Sequence, residues 1–169
     1  RKNNIPLDTP VNSLLEKAGS DFRISSDKVQ IEHLLNHTAL NGHYVQGHSL
    51  TKPLPAWPEL LTDISVINEP GKKFSYSGGG FLVLEYLMTL LTKKSIQEVS
   101  YHFFANMDLT NITFNLKNIP GKNYVCGYFD DQREVPGTRL QFPAFAAGAL
   151  GSSNDMARFL AHLTKAYHN

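Results

Sequence analysis

Between Phe81 and Leu91 only Glu85 and Thr89 interrupt an apolar run, and Thr92 follows in step with them. Polar positions spaced four and three apart leave one narrow stripe on a helix over 80–93, with apolar residues around the rest of its circumference. That is the pattern of a central helix whose polar stripe alone meets water. A second helix is predicted over 95–107, with Ser95 as cap and Ile96, Val99, Phe103 and Phe104 inward. The C-terminal segment opens on Ser152 and Asp155, spaced like a capping box, and Met156, Phe159, Leu160, Leu163 and Tyr167 define its inner face. Asp27 is placed to cap a helix over 29–36, with Val29, Ile31, Leu34 and Leu35 as apolar positions. Leu60, Leu61 and Ile64 mark a short amphipathic helix over 57–64. Residues 1–28 read as irregular, with a helical turn at 10–17, and 41–58, rich in Gly, His and Pro, as a long loop. Segments 111–114 and 124–129 are candidates for short strands. The expected fold class is mainly α with long loops and at most one small β-hairpin.

Composition narrows the function classes. The chain has 169 residues, 41% hydrophobic and 18% charged, enough for one domain with a real core and unlike a disordered segment. A net charge of +1, with no basic run longer than Lys72-Lys73 or Lys93-Lys94, gives nucleic acid no electrostatic footprint. The single Cys126 excludes an internal disulfide framework and a thiolate metal cluster. The apolar run at 81–91 is too short to span a bilayer, so no transmembrane segment is expected. The N-terminus shows no signal-peptide pattern, and the chain shows no internal repeat.

The chemistry concentrates in Glu69-Pro-Gly-Lys-Lys-Phe-Ser-Tyr-Ser-Gly-Gly-Gly-Phe81. A Pro-Gly turn, a short extended piece and a glycine triplet place the hydroxyl of Tyr76 on a tight turn at a helix entrance. Glycines there carry an entropic cost and allow another chain segment or a ligand to approach closely. The local pattern alone is equally that of a plain loop-to-helix joint. Ser25 with Lys28 and Ser49 with Lys52 both fit Ser-x-x-Lys, a spacing that on a helix sets an amine one turn from a hydroxyl. Neither stands at the start of a buried helix, and neither is taken as nucleophile. His33 and His37 could share a helix face, but the order Glu-His-x-x-x-His and the lack of a third ligand argue against zinc; His37 is expected to bond backbone near Thr38. Asn36-His-Thr38 and Asn111-Ile-Thr113 fit the glycosylation acceptor pattern. The small-residue run 145–153 reads either as tight helix packing or as a wall beside a substrate.

Three segments taken in order, Ile31-Glu-His-Leu-Leu-Asn-His-Thr-Ala39, Pro70 to Phe81, and Ala146-Ala-Gly-Ala-Leu-Gly-Ser-Ser-Asn-Asp-Met-Ala-Arg-Phe-Leu160, resemble the serine beta-lactamase and penicillin-binding-protein-like hydrolases. The likeness is nearest to class C beta-lactamases and their esterase and peptidase relatives. It extends over nearly the whole chain, and Leu7-Asp-Thr-Pro-Val11 is similar to the piece that follows the nucleophile helix in that family. The resemblance implies a two-part protein, α/β and helical, with the active site between the parts. Acyl transfer would run through a serine ester on an ester, amide or peptide-like substrate, without metal or cofactor. By position Tyr76 matches the catalytic tyrosine, and Gly78 falls where an asparagine usually sits, as in a Tyr-Ser-Gly-Gly-Gly subgroup. Ser77 and Gly78 are its substrate-side neighbours, and Ala147 and Gly148 a wall of the cleft. The family's Ser-x-x-Lys would lie before Arg1 and its Lys/His-x-Gly strand after Asn169.

On this view residues 1–169 are a single partial domain, with 1–28 as the connector from the missing α/β part. That part of the same protein is the expected partner, besides a small-molecule or peptide-like substrate. The resemblance suggests a periplasmic or secreted protein. A free phenol has a pKa of about 10 and is a poor base at neutral pH without a neighbouring cation. The chain alone is therefore expected to be inactive, and to expose an apolar patch where the α/β part would sit. The alternative is a non-catalytic binding module derived from the same fold.

Overall fold

The computed structural model describes residues 4–42, 53–115, 118–119, 124–134 and 143–168. Among the described residues six α-helices follow in order: α1 (Val11–Lys17), α2 (Ile31–Leu35), α3 (Trp57–Leu61), α4 (Gly78–Thr92), α5 (Ile96–Ala105) and α6 (Ser153–His168), with a π-helical turn at Ala144–Gly148 before α6. Among the described residues there is no strand, only isolated bridges such as Thr113 with Leu150 and Tyr128 with Glu134. The two strand candidates thus reduce to single pairs. In the second, the turn closed by Phe129 N–H on the Arg133 carbonyl (2.9 Å) ends the pairing at once.

The central helix is α4, which packs against α2, α3, α5 and the π-turn. Leu82, Val83 and Leu87 are buried on it and meet Val11, Leu15, Val29, Leu34 and Leu40. It begins two residues earlier than the pattern predicted, so all of Gly78, Gly79 and Gly80 are helical. Its C-cap, Lys93, takes a left-handed conformation (φ 56°), which ends the helix without a glycine.

α1 presents Val11, Leu14 and Leu15 to the core at helical spacing. Beside them Asn12 is only 4% exposed, and its amide donates to the Ile24 carbonyl (2.8 Å) while its oxygen accepts from Ile24 N–H (2.8 Å). The same amide reaches Asp27 Oδ1 at 2.6 Å, and Arg23 reaches it at 3.0 Å. Asp27 is therefore not the helix cap the sequence suggested. The hydrogen bond from Asn12, then that from Arg23, holds its carboxyl below the usual range, and α2 starts later, at Ile31, with Gln30 as N-cap.

α5 carries the expected Ser95 cap, and Glu98 completes it as a capping box: Glu98 N–H donates to Ser95 Oγ (3.3 Å), and Ser95 N–H donates to Glu98 Oε2 (2.9 Å). Ile96 is buried, but Phe103, expected inward, is 58% exposed.

α6 departs furthest from expectation. Its anchors are polar: Asp155 Oδ2 accepts from Asn111 N–H (2.6 Å), Arg158 donates to the Asp108 carbonyl (3.0 Å), and His162 Nε2 lies 3.1 Å from the Met107 carbonyl. Most of the predicted inner face instead looks outward, with Met156, Leu160 and Leu163 at least half exposed and Tyr167 at 86%, while Phe159 is half-buried. Among the described residues no helix is long and apolar enough to cross a membrane.

Truncating Asn12 to Ala should strand the Ile24 N–H and carbonyl in the core, and an unsatisfied buried pair costs about 1–3 kcal/mol. Urea denaturation of Asn12→Ala is expected to show that loss.

Candidate active site

In the turn before α4, the two backbone N–H groups that flank Tyr76 are both bound by His37. Just past the end of α2, His37 adopts a left-handed conformation (φ 59°), which histidine tolerates better than bulkier side chains. Its carbonyl accepts from Ser75 N–H at 2.8 Å, and its ring Nδ1 accepts from Ser77 N–H at 3.0 Å. The Ser77 carbonyl also lies 3.2 Å from Nδ1. An amide nitrogen can only donate, so the shorter Ser77 N–H contact assigns the lone pair to Nδ1 and the imidazole proton to Nε2, whereas a bond to the Ser77 carbonyl would need the opposite tautomer. The ring of Tyr76 lies against that of His37, centroids 4.6 Å apart at 32°, with Phe81 at 5.3 Å and Phe74 edge-on at 5.8 Å. Aromatic contacts of this kind contribute about 0.5–1.5 kcal/mol beyond burial. Tyr76 itself is 62% exposed, so a fixed phenol stands at the surface.

Ser77 faces the other way. It is 1% exposed and forms the N-cap of α4, its hydroxyl accepting from Gly80 N–H (3.0 Å) and donating to the Asn41 carbonyl. Two glycines of the triplet, Gly79 and Gly80, have a steric reason. A Cβ at Gly79 would fall 2.9 Å from the Asn41 carbonyl oxygen and 2.9 Å from Ile64 Cδ1, and one at Gly80 3.1 Å from the Leu34 carbonyl oxygen. One at Gly42 would fall 3.1 Å from the Tyr76 carbonyl oxygen. The 34–42 segment thus crosses the entrance of α4 at backbone contact, the close approach the triplet predicted.

A model of the Beta-lactamase family matches residues 1–168. The chain belongs to the beta-lactamase family. The structure is similar to D-amino acid amidase from Ochrobactrum anthropi SV3 (TM-score 0.72, 20% identity, 95% of this chain and 48% of that one). It is also similar to a beta-lactamase/D-alanine carboxypeptidase from Pseudomonas syringae (0.66, 20%, 92% and 43%) and to a class C beta-lactamase (0.67, 18%, 92% and 43%). No curated protein matches. The chain spans less than half the length of these three solved structures, and its mainly helical architecture corresponds to that share of the beta-lactamase fold.

The other candidate positions of this beta-lactamase-family chain fall as follows. Ala147 and Gly148 lie in the π-turn, which is seated on α4 through Glu85 rather than on the Tyr76 turn itself: Phe145 N–H donates to Glu85 Oε2 at 3.0 Å. Glu85 is therefore not part of a solvent stripe, being only 8% exposed. Thr89 and Thr92, the rest of that stripe, bond the Tyr86 and Met88 carbonyls of their own helix. Ser25 and Lys28 are both exposed on the loop before α2, and Ser49 and Lys52 lie outside the described residues. His33 and His37 do not share a helix face, because α2 ends at Leu35; His33 Nδ1 accepts from Gln30 N–H (3.1 Å) while His37 turns to Ser77. Among the described residues no cluster could hold a metal ion.

The sequence reading did not find His37 as the partner of the tyrosine turn, nor Glu85 as the tether of the π-turn. For Glu85 the available signal was a lone carboxylate in an otherwise apolar run.

Burial raises the Glu85 carboxyl above the usual range, and the N–H groups of Phe145 and Ala144 offset part of that. A raised folded-state value means the native protein binds the proton more tightly than the unfolded chain. This carboxyl's contribution is thus fullest below the unfolded value and is lost as pH rises through the folded one. Glu85→Gln keeps an acceptor and removes the charge. The expected result is a stability gain over wild type at neutral pH that shrinks as pH falls toward about 4.3, read by chemical denaturation of both proteins across that range.

Proposed function

We propose that the chain is the helical part of a serine hydrolase of the beta-lactamase and penicillin-binding type, close to class C enzymes and of a Tyr-Ser-Gly-Gly-Gly subgroup. The observation that carries this reading is an exposed phenol, Tyr76, immobilised on an N-cap turn whose neighbouring amides are both satisfied inward. In the complete protein Tyr76 shuttles the proton between nucleophile, substrate and leaving group. Ser77, turned inward as the N-cap, and Gly78 hold the turn beneath the phenol, and Ala147 and Gly148 form part of the cleft wall.

The serine and its lysine come from the remaining α/β portion, to which residues 1–28 lead, and the 169-residue chain alone is inactive. Two observations support a second portion. The solved structures of similar fold are more than twice as long as the stretch matched, and α6 turns Met156, Leu160, Leu163 and Tyr167 outward. Apolar residues exposed together on one helix face accord with an interaction site. The substrate is an ester, amide or peptide-like acyl donor. The names of the similar structures, an amidase, a beta-lactamase/carboxypeptidase and a class C beta-lactamase, accord with acyl transfer of that class. Gly78 has no side-chain amide to bind substrate, which disfavours penicillin-like compounds.

The test is Tyr76→Phe in the complete protein, assayed with a p-nitrophenyl ester and a peptide amide. Loss of a general acid–base group is expected to lower kcat by about a hundredfold or more. Unchanged turnover would remove Tyr76 from the mechanism. Absence of turnover in the complete wild-type protein, together with ligand binding that survives Tyr76→Phe, would instead establish a binding module.

A further inference from the structure

We propose that His37 is the positioning residue for Tyr76: it sets the direction of the phenol without touching substrate. The inference rests on the proton-shuttle reading of Tyr76 and extends it. One residue takes both backbone donors that flank the tyrosine, Ser75 N–H on its carbonyl at 2.8 Å and Ser77 N–H on its ring at 3.0 Å. The same ring lies 4.6 Å from the tyrosine ring, so His37 fixes the backbone on either side of Tyr76 and one face of its side chain.

His37 is fixed in turn from its own side. The left-handed backbone (φ 59°) is closed by Thr38 N–H on the His33 carbonyl (2.9 Å), and Gly71 N–H on the Thr38 carbonyl (3.1 Å) ties in the start of the tyrosine loop. Phe74 and Phe81 flank the imidazole, which leaves it little rotameric freedom. A proton shuttle works only where its oxygen reaches the reacting groups in hydrogen-bond geometry, so a hinge held at three points bears on rate rather than on substrate affinity.

Side-chain choice explains why this position needs an imidazole. Nδ1 accepts from the Ser77 amide only while it is unprotonated, and an alkyl side chain offers that amide nothing. Asparagine tolerates the left-handed backbone and can offer an oxygen to the amide, but it has no ring to lay against Tyr76. Glycine tolerates the backbone and supplies neither.

Nitrogen-edited NMR of the chain reads the turn directly. The expected wild-type signature is an unprotonated Nδ1 with the proton on Nε2, cross-peaks between the His37 and Tyr76 rings, and slow exchange of the Ser77 amide. His37→Gly should speed that exchange by about tenfold, the loss of one hydrogen bond, and abolish the ring contact. His37→Asn should restore the amide but not the ring contact, and it serves as the informative variant if His37→Gly does not fold. In the complete protein, with a p-nitrophenyl ester, His37→Gly should lower kcat about tenfold with KM nearly unchanged, and His37→Asn should fall between.

A proton on Nδ1, or a Ser77 amide indifferent to both substitutions, overturns the proposal. So does an unchanged kcat in either variant when Tyr76→Phe is inactive. Full turnover in Tyr76→Phe fails differently: it overturns the shuttle reading, and with it any effect of His37 on rate, even where the NMR signature is found.

Discussion

The site depends on a crossing of two backbones. The 34–42 segment passes over the first turn of α4 so closely that the Asn41 and Leu34 carbonyls occupy the space a Cβ would need at Gly79 and Gly80. Everything near Tyr76 follows from that contact. It brings the Asn41 carbonyl within reach of the Ser77 hydroxyl, which completes the cap of α4. It also carries His37 to the position from which it binds the amides on either side of the tyrosine. The crossing is itself anchored, since the Asn41 side chain donates to the Asp63 carbonyl at 2.7 Å and accepts from Ser65 N–H at 3.3 Å.

α4 then serves as a common frame. Its N-terminus holds the tyrosine turn, and its buried Glu85 holds the π-turn that carries Ala147 and Gly148. Two segments placed on one rigid helix keep their separation, which loops on separate elements would not ensure. The apolar residues of α4 bind this frame to the core, while α6 attaches through Asp155, Arg158 and His162 and keeps its apolar face free. The energetic logic differs between the two. α4 is stabilised by burial within this chain, whereas most of the hydrophobic face of α6 is exposed.

Periodicity made most of the fold legible. The apolar positions of α4 and the Ser95 cap of α5 appear in the structure as the sequence proposed, because both signals are local. The misplaced start of α2 has a long-range cause: Asp27 is drawn to Asn12, fifteen residues earlier, and cannot cap. Glu85 was read as solvent-facing because periodicity locates a polar residue on a face without saying what covers that face. α6 was read as inward-facing for the same reason, since a hydrophobic face specifies burial but not by whom. At the site, Tyr76 and the glycines were legible from turn chemistry. His37 was not, because its contact with Ser77 spans forty residues and is made by an imidazole after the end of a helix.

The crossing of backbones can be tested by the sign of one stability change. Helix propensity alone predicts that Gly79→Ala, inside α4, stabilises the protein by about 0.5–1 kcal/mol. The close approach predicts the opposite, because the new Cβ would meet the Asn41 carbonyl oxygen, a backbone atom held in place by the Asp63 and Ser65 bonds. Overpacking of that kind costs about 1–3 kcal/mol. Denaturation of Gly79→Ala beside wild type decides the matter. A destabilised variant is the predicted result, and one as stable as wild type or more so would contradict the account.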